Sequence, residues 1–147
     1  MNINKIFLEM KKLPKGYIIE NPFDLILIDF KISNNILSTL NTQNNLVYFT
    51  RLSIKHLSEK HDGVYILKKI KEILKSPDRI YVGNFLNRFL VSKMIYFKND
   101  KKAHVITIEV TQDNKNIIVT GFISKESYFK NLRLLWGTAY PHLNNPQ

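Results

Sequence analysis

LVYFTRLSIKHLSEKHDGVYILKKIKEILKSPD, residues 46–78, is the stretch on which the fold turns. Residues 46–50 are strand formers. Ser53 then stands where an N-cap would open a short helix, with Ile54 and Leu57 facing inward and Lys55, Ser58 and Glu59 facing out. Asp62-Gly63 breaks that helix and restarts it. From Val64 onward Ile66, Leu67, Ile70, Ile73 and Leu74 follow the i, i+1, i+4, i+7, i+8 pattern of an amphipathic helix, with Lys68, Lys69, Lys71 and Glu72 on its outer face. Ser76-Pro77 stops it, because a residue before proline is pushed out of helical geometry. Two of the four histidines, His56 and His61, stand among Lys55 and Lys60 just after a strand hands over to a helix, where side chains can meet a substrate.

Upstream, Ile3, Ile6, Phe7 and Met10 lay one apolar stripe along a helix that Pro14 and Gly16 end. Residues 17–19 and 25–30, divided by Asn21-Pro22, read as a β pair, and the Asn-rich residues 33–45 read as a loop around a short apolar piece. Downstream the pattern is β: residues 79–82, 88–98, 104–111 and 117–123, joined by turns short enough to make neighbours antiparallel. Ile106, Ile108 and Val110 alternate with Thr107, Glu109 and Thr111, as a sheet with one buried and one open face requires. His104 shares the parity of Ile106, which puts it at the end of the core face. Ser124 can cap a last helix through Leu135, with Tyr128, Leu132 and Leu135 aligned and Gly137 ending it. An aromatic tail, residues 136–142, follows. The fold class is therefore α+β, an antiparallel sheet of four or more strands packed by helices.

At 147 residues the chain is one domain with a sizeable core. Lys plus Arg outnumber Asp plus Glu by 22 to 12, and the net charge of +10 favours a polyanionic partner, nucleic acid before a membrane surface or an acidic protein. There is no cysteine. That removes disulfides, thiolate metal sites and a cysteine nucleophile, and fits a reducing compartment. No apolar run approaches the ~20 residues of a membrane span, and charged residues interrupt the first thirteen positions where a signal core would lie. A cytoplasmic, soluble protein is expected.

Neither metal-ligand spacing, a phosphate-cradling glycine loop nor a nucleophile elbow is present, so no metal and no cofactor is expected. What remains is His, Lys, Arg, Ser, Thr and Tyr. That inventory suits RNA cleavage without a metal: a base takes the 2′-hydroxyl proton, a cation steadies the charged phosphorane, and an acid protonates the leaving 5′-oxygen. His56 and His61 are the candidate acid or base, since an unperturbed imidazole titrates at about 6.5. Five residues apart on a continuous helix they would stand roughly 140° apart, so they share one site only if the helix breaks. The plainer reading, two surface histidines, weighs about equally.

The order of a strand, KHLSEKH, an amphipathic helix ending in SPDRIYV, and β segments ending in IIVTGFI and followed by YFKNLRLLW resembles the phage-type branch of the barnase/EndoU/colicin/RelE nuclease superfamily. The resemblance covers residues 46–136, leaving residues 1–45 as an N-terminal helix and β pair and 137–147 as a tail. It implies a curved antiparallel sheet whose open face carries His, Arg or Lys, and a hydroxyl, acting as a metal-independent ribonuclease. Carried over by position, the matches are His56 or His61, Arg88 and Thr120 as catalytic candidates and Lys93 toward the substrate; Lys55, Lys60 and Tyr128 are further candidates for substrate contact. Arg88 and Lys93 have opposite parity and share a face only if a bulge intervenes. The implied partners are RNA, tRNA included, and an acidic antitoxin or immunity protein. The alternatives are a non-catalytic nucleic-acid- or protein-binding module of phage or mobile-element origin, or a phage structural component that reuses the fold.

Overall fold

The computed structural model describes residues 3–85 and 87–138. The elements run α1 (Ile3–Lys11), β1 (Leu25–Leu27), α2 (Asn34–Leu40), β2 (Val47–Thr50), α3 (Arg51–Ser58), α4 (Gly63–Lys75), β3 (Arg79–Val82), β4 (Arg88–Phe97), β5 (Asp100–Val110), β6 (Asn116–Ser124), a 3-10 turn (Glu126–Phe129) and β7 (Leu134–Gly137). The seven strands among the described residues join one sheet in the order β1-β2-β6-β5-β4-β3-β7. The pairs are antiparallel except β2 with β6, where Val47, Tyr48 and Phe49 run alongside Asn116, Ile117 and Ile118. Buried Asn116 fixes that seam by donating to the carbonyls of Asn44 and Leu46. The chain is α+β.

The alternation within the strands sorts the two faces. Val47, Phe49, Ile80, Val91, Ile106, Ile108 and Ile118 turn to one side and form a single core with Ile54 and Leu57 of α3 and Ile66, Ile70, Ile73 and Leu74 of α4. Helix α1 closes it with Ile6, Phe7 and Met10. On the other side a smaller cluster of Tyr81, Leu90, Ala103, Val105 and Phe129 covers only part of the sheet. The rest of that face stays open.

Four sequence expectations fail, each for a local reason. Residues 17–19 form no strand, because Asn21 takes a left-handed conformation (φ 50°) and β1 pairs instead with β2. Residues 33–45 contain a helix, α2. Ser33 accepts from the Ile36 N–H at one end, left-handed Asn41 closes the other, and Ile36 and Leu40 are buried, so caps and packing outweigh the poor helix propensity of asparagine. Helix α3 begins at Arg51: Thr50 is its N-cap and Ser53 is the third residue in, the two bonded reciprocally as a capping box. The helix expected over residues 124–135 is a 3-10 turn followed by β7, because Trp136 and Gly137 pair with Ile80 and Arg79 at the sheet edge. Of the expected tail, residues 139–142 lie outside the described residues.

His104 lies on the helix-covered face, as its parity predicts, and is fully buried between Tyr65 and Phe97. Its Nδ1 meets the Lys102 carbonyl at 2.8 Å, and its Nε2 has no partner among the described residues. Burial lowers its pKa below 6.5, with the Lys102 carbonyl opposing. Because the folded pKa is depressed, the unfolded chain binds the extra proton first as pH falls. Stability from this group is therefore complete above about pH 6.5 and is lost as pH drops below it. Urea midpoints should fall between about pH 6.5 and 5, and His104→Phe should flatten that part of the profile.

The candidate active site on the open sheet face

A bulge in β6 shapes the open face. Thr107 pairs with Thr120 and Ile108 with Ile118, leaving Val119 unpaired, so β6 bends just where it faces β5. Next to the bulge a groove of about 170 Å³ is lined by Gly83, Asn84, Phe85, Arg88, Leu90, Thr107, Val119, Thr120, Phe122 and Tyr128. Gly83 makes its near wall possible: a Cβ there would stand 2.8 Å from the Arg88 carbonyl, which accepts the Gly83 N–H.

Arg88 opens β4, and its guanidinium is the groove's fixed cation. Its Nε donates to Glu109 Oε1 at 2.9 Å, and the guanidinium carbon stacks 4.7 Å from the Phe85 ring centroid. Among the described residues its two terminal nitrogens have no hydrogen-bond acceptor, so they are free to meet an anion. Arg88 and Glu109 are direct cross-strand partners, each about a third exposed. At that exposure the pair contributes little stability, about 1 kcal/mol at most. Lys60, from the turn between α3 and α4, places its Nζ 5.6 Å from the ring centroid of Phe122, one of the groove's lining residues. Desolvation there lowers the Lys60 pKa. Tyr128 stands edge-on to Phe122 at 5.2 Å and is 47% exposed.

The groove thus gathers Arg88 from β4, Thr120 from β6 and Tyr128 from the 3-10 turn, and Lys60 touches it only through its contact with Phe122. It does not gather the other candidates. Lys55, expected on the outward face of its helix, is 2% exposed: its ammonium donates to Glu59 at 2.9 Å and to the Pro14 carbonyl at 3.1 Å, tying α3 to the segment after α1. The Lys55 ammonium also holds the Glu59 carboxyl below its ordinary pKa, helped by the Gly16 N–H. Lys93 faces the helices and meets the Ser76 carbonyl at 2.7 Å, because β4 pairs with β5 in unbroken register from Arg88 to Phe97. The bulge that would have brought it beside Arg88 lies in β6 instead.

His56 is in the last turn of α3, not the first, since the cap is Thr50. It lines a separate groove of about 290 Å³ with Tyr17, Ile18, Pro22, Leu52 and Glu59. His61 is exposed in the turn beside Lys60. Glu109 was not among the sequence candidates. Its signal was the Thr107, Glu109, Thr111 alternation, which places a lone carboxylate on the open face of β5 opposite Arg88. Among the described residues no group of three His, Asp or Glu gathers as a metal site. No helix among them is long and apolar enough to cross a membrane.

Residues 27–140, well over half of the chain, match the family model described as phage-Barnase-EndoU-ColicinE5/D-RelE like nuclease2. The match starts ahead of the resemblance read from the sequence, taking in α2. No curated protein and no solved structure matches.

Proposed function

The chain belongs to this nuclease family, and from that premise we propose that it is an endoribonuclease that cuts RNA without a metal, leaving a 2′,3′-cyclic phosphate. The observation that carries the reading is the Arg88–Glu109 pair held at the edge of a groove with two threonines and a second cation. The donor set favours a route through side chains, because the carboxylate nearest the groove is already engaged by Arg88. In this reading the Glu109 carboxylate takes the 2′-hydroxyl proton. The 2′-oxygen attacks phosphorus, and the terminal nitrogens of Arg88 neutralise the phosphorane. The bond to the 5′-oxygen then breaks, and the Lys60 ammonium supplies the proton that the departing oxygen needs. Its lowered pKa suits that transfer. Thr107 and Thr120 hydrogen-bond the phosphate or the ribose, and Tyr128 stacks on a base.

Incubation of the purified protein with RNA, with and without chelator, tests this directly. Cleavage should persist in chelator and produce cyclic phosphate ends, and an oligonucleotide with a 2′-deoxy sugar at the scissile position should resist. Efficient cutting of that oligonucleotide would remove the mechanism. Binding without cutting would favour the non-catalytic module.

A further inference from the structure

We propose that the tip of the β4–β5 hairpin and the residue that follows β6 form a second RNA subsite, which holds backbone phosphates of a single strand at a distance from the cut. This rests on the ribonuclease reading for its substrate but on different residues for its evidence. A groove of about 390 Å³ lies there, lined by Asp100, Lys101, Lys102, Lys125 and Glu126. Lys98 adds a further cation at the turn.

Three features make this more than a scatter of surface lysines. First, the Lys101 ammonium is placed on the open face by an aromatic ring, 5.4 Å from the Tyr96 centroid, while Lys98 and Lys102, 5.1 and 5.9 Å from the centroid of Phe97, flank the hairpin tip from its helix-covered side. Second, none of Lys98, Lys101, Lys102 and Lys125 is ion-paired among the described residues, so their charge is available to an anion. Third, the register joins this surface to the candidate active site. Tyr96 has the parity of Arg88 along β4, and Lys101 has that of Glu109 along β5, so both stand on the open face. Eight residues separate Lys101 from Glu109, roughly 27 Å of strand. Beside the sheet the 3-10 turn lies along both surfaces, with Glu126 lining one groove and Tyr128 the other. Tyr96 is 67% exposed and offers a ring to an unpaired base. An extended single strand fits this layout, because it can cross the turn and keep its phosphates against lysines at both ends.

The test is substrate length. The triple variant Lys101→Gln, Lys102→Gln, Lys125→Gln and the wild type are compared on a dinucleotide, which reaches only the active groove, and on a decamer. The expected result is kcat/KM on the decamer reduced about tenfold or more, with the dinucleotide unchanged and the thermal midpoint retained. Equal losses on both substrates, or no loss on either, would overturn the proposal. Should the wild type cut no RNA, the ribonuclease reading fails, and the subsite is read from binding of a non-cleavable decamer. The slope of log affinity against log salt should then become shallower by about 2 in the variant, at roughly 0.7 for each phosphate no longer neutralised. An unchanged slope there would overturn the subsite on its own.

Discussion

Arg88→Ala is expected to lower the single-turnover rate of RNA cleavage by roughly 10³-fold, the cost of removing one preorganised charge from a phosphorane. Urea midpoints should hardly move, because the ion pair removed is about a third exposed on each side. Arg88→Lys should recover little: an ammonium cannot donate to Glu109 and also present two parallel donors to a phosphate. Glu109→Gln should lose cleavage by roughly 10²- to 10⁴-fold as a missing general base. RNA binding should survive in that variant, since it removes a negative charge. His56→Ala, in the separate groove, should cleave at nearly the wild-type rate. If His56→Ala or His61→Ala is the inactive variant while Glu109→Gln cuts normally, the proton passes through a histidine and the carboxylate mechanism fails.

Gly63→Ala should be the most damaging small change to stability. Gly63 starts α4 directly after the turn from α3, and a Cβ there would stand 2.0 Å from the Leu57 carbonyl oxygen and 3.6 Å from the Phe7 ring. The clash is with backbone at a buried joint, so it cannot be relieved by a rotamer change. We expect a loss of about 2–3 kcal/mol, at the upper end for overpacking, read as a lower urea midpoint at unchanged slope. The same shift would displace Lys60, three residues earlier, from the Phe122 ring. Residual activity should therefore fall even under conditions where the variant is folded. A midpoint within experimental error of wild type would show that the joint can open without cost.

The contrast between α4 and α2 shows what the sequence could and could not convey. Helix α4 is readable because thirteen residues repeat one apolar spacing between clear stops. Helix α2 has seven residues, and its helicity depends on caps at Ser33 and Asn41 and on burial of Ile36 and Leu40 by the rest of the molecule. Residues 126–137 mislead for a related reason. Tyr128, Leu132 and Leu135 sit at helical spacing, yet Leu134 to Gly137 gain more from an open sheet edge beside β3. The site followed the same rule. Parity along β4 correctly separated Arg88 from Lys93, and strand order brought Thr120 near Arg88. Lys55 was misread as solvated because its partners include the Pro14 carbonyl, 41 residues away, which no local pattern reveals. The misplaced cap put His56 most of a helix turn too close to the start of α3, whereas it lies in the last turn.

The parallel seam between β2 and β6 also dictates an order of assembly. Strands β4, β5 and β6 are linked by short reversals, the first a two-residue turn with both Lys98 and Asn99 left-handed, so their pairing requires the closing of only small loops. Val47 must instead find Asn116, 69 positions further along the chain, and so long a closure comes late. During synthesis β2 therefore waits, with α3 and α4 already made, until β6 leaves the ribosome. In that interval the Arg88–Glu109 pair can form on the β4–β5 hairpin, but Thr120 and the bulge are missing. Once β6 pairs with β5 the groove is in place, and the seam with β2, which contributes none of its lining residues, closes over strands already assembled.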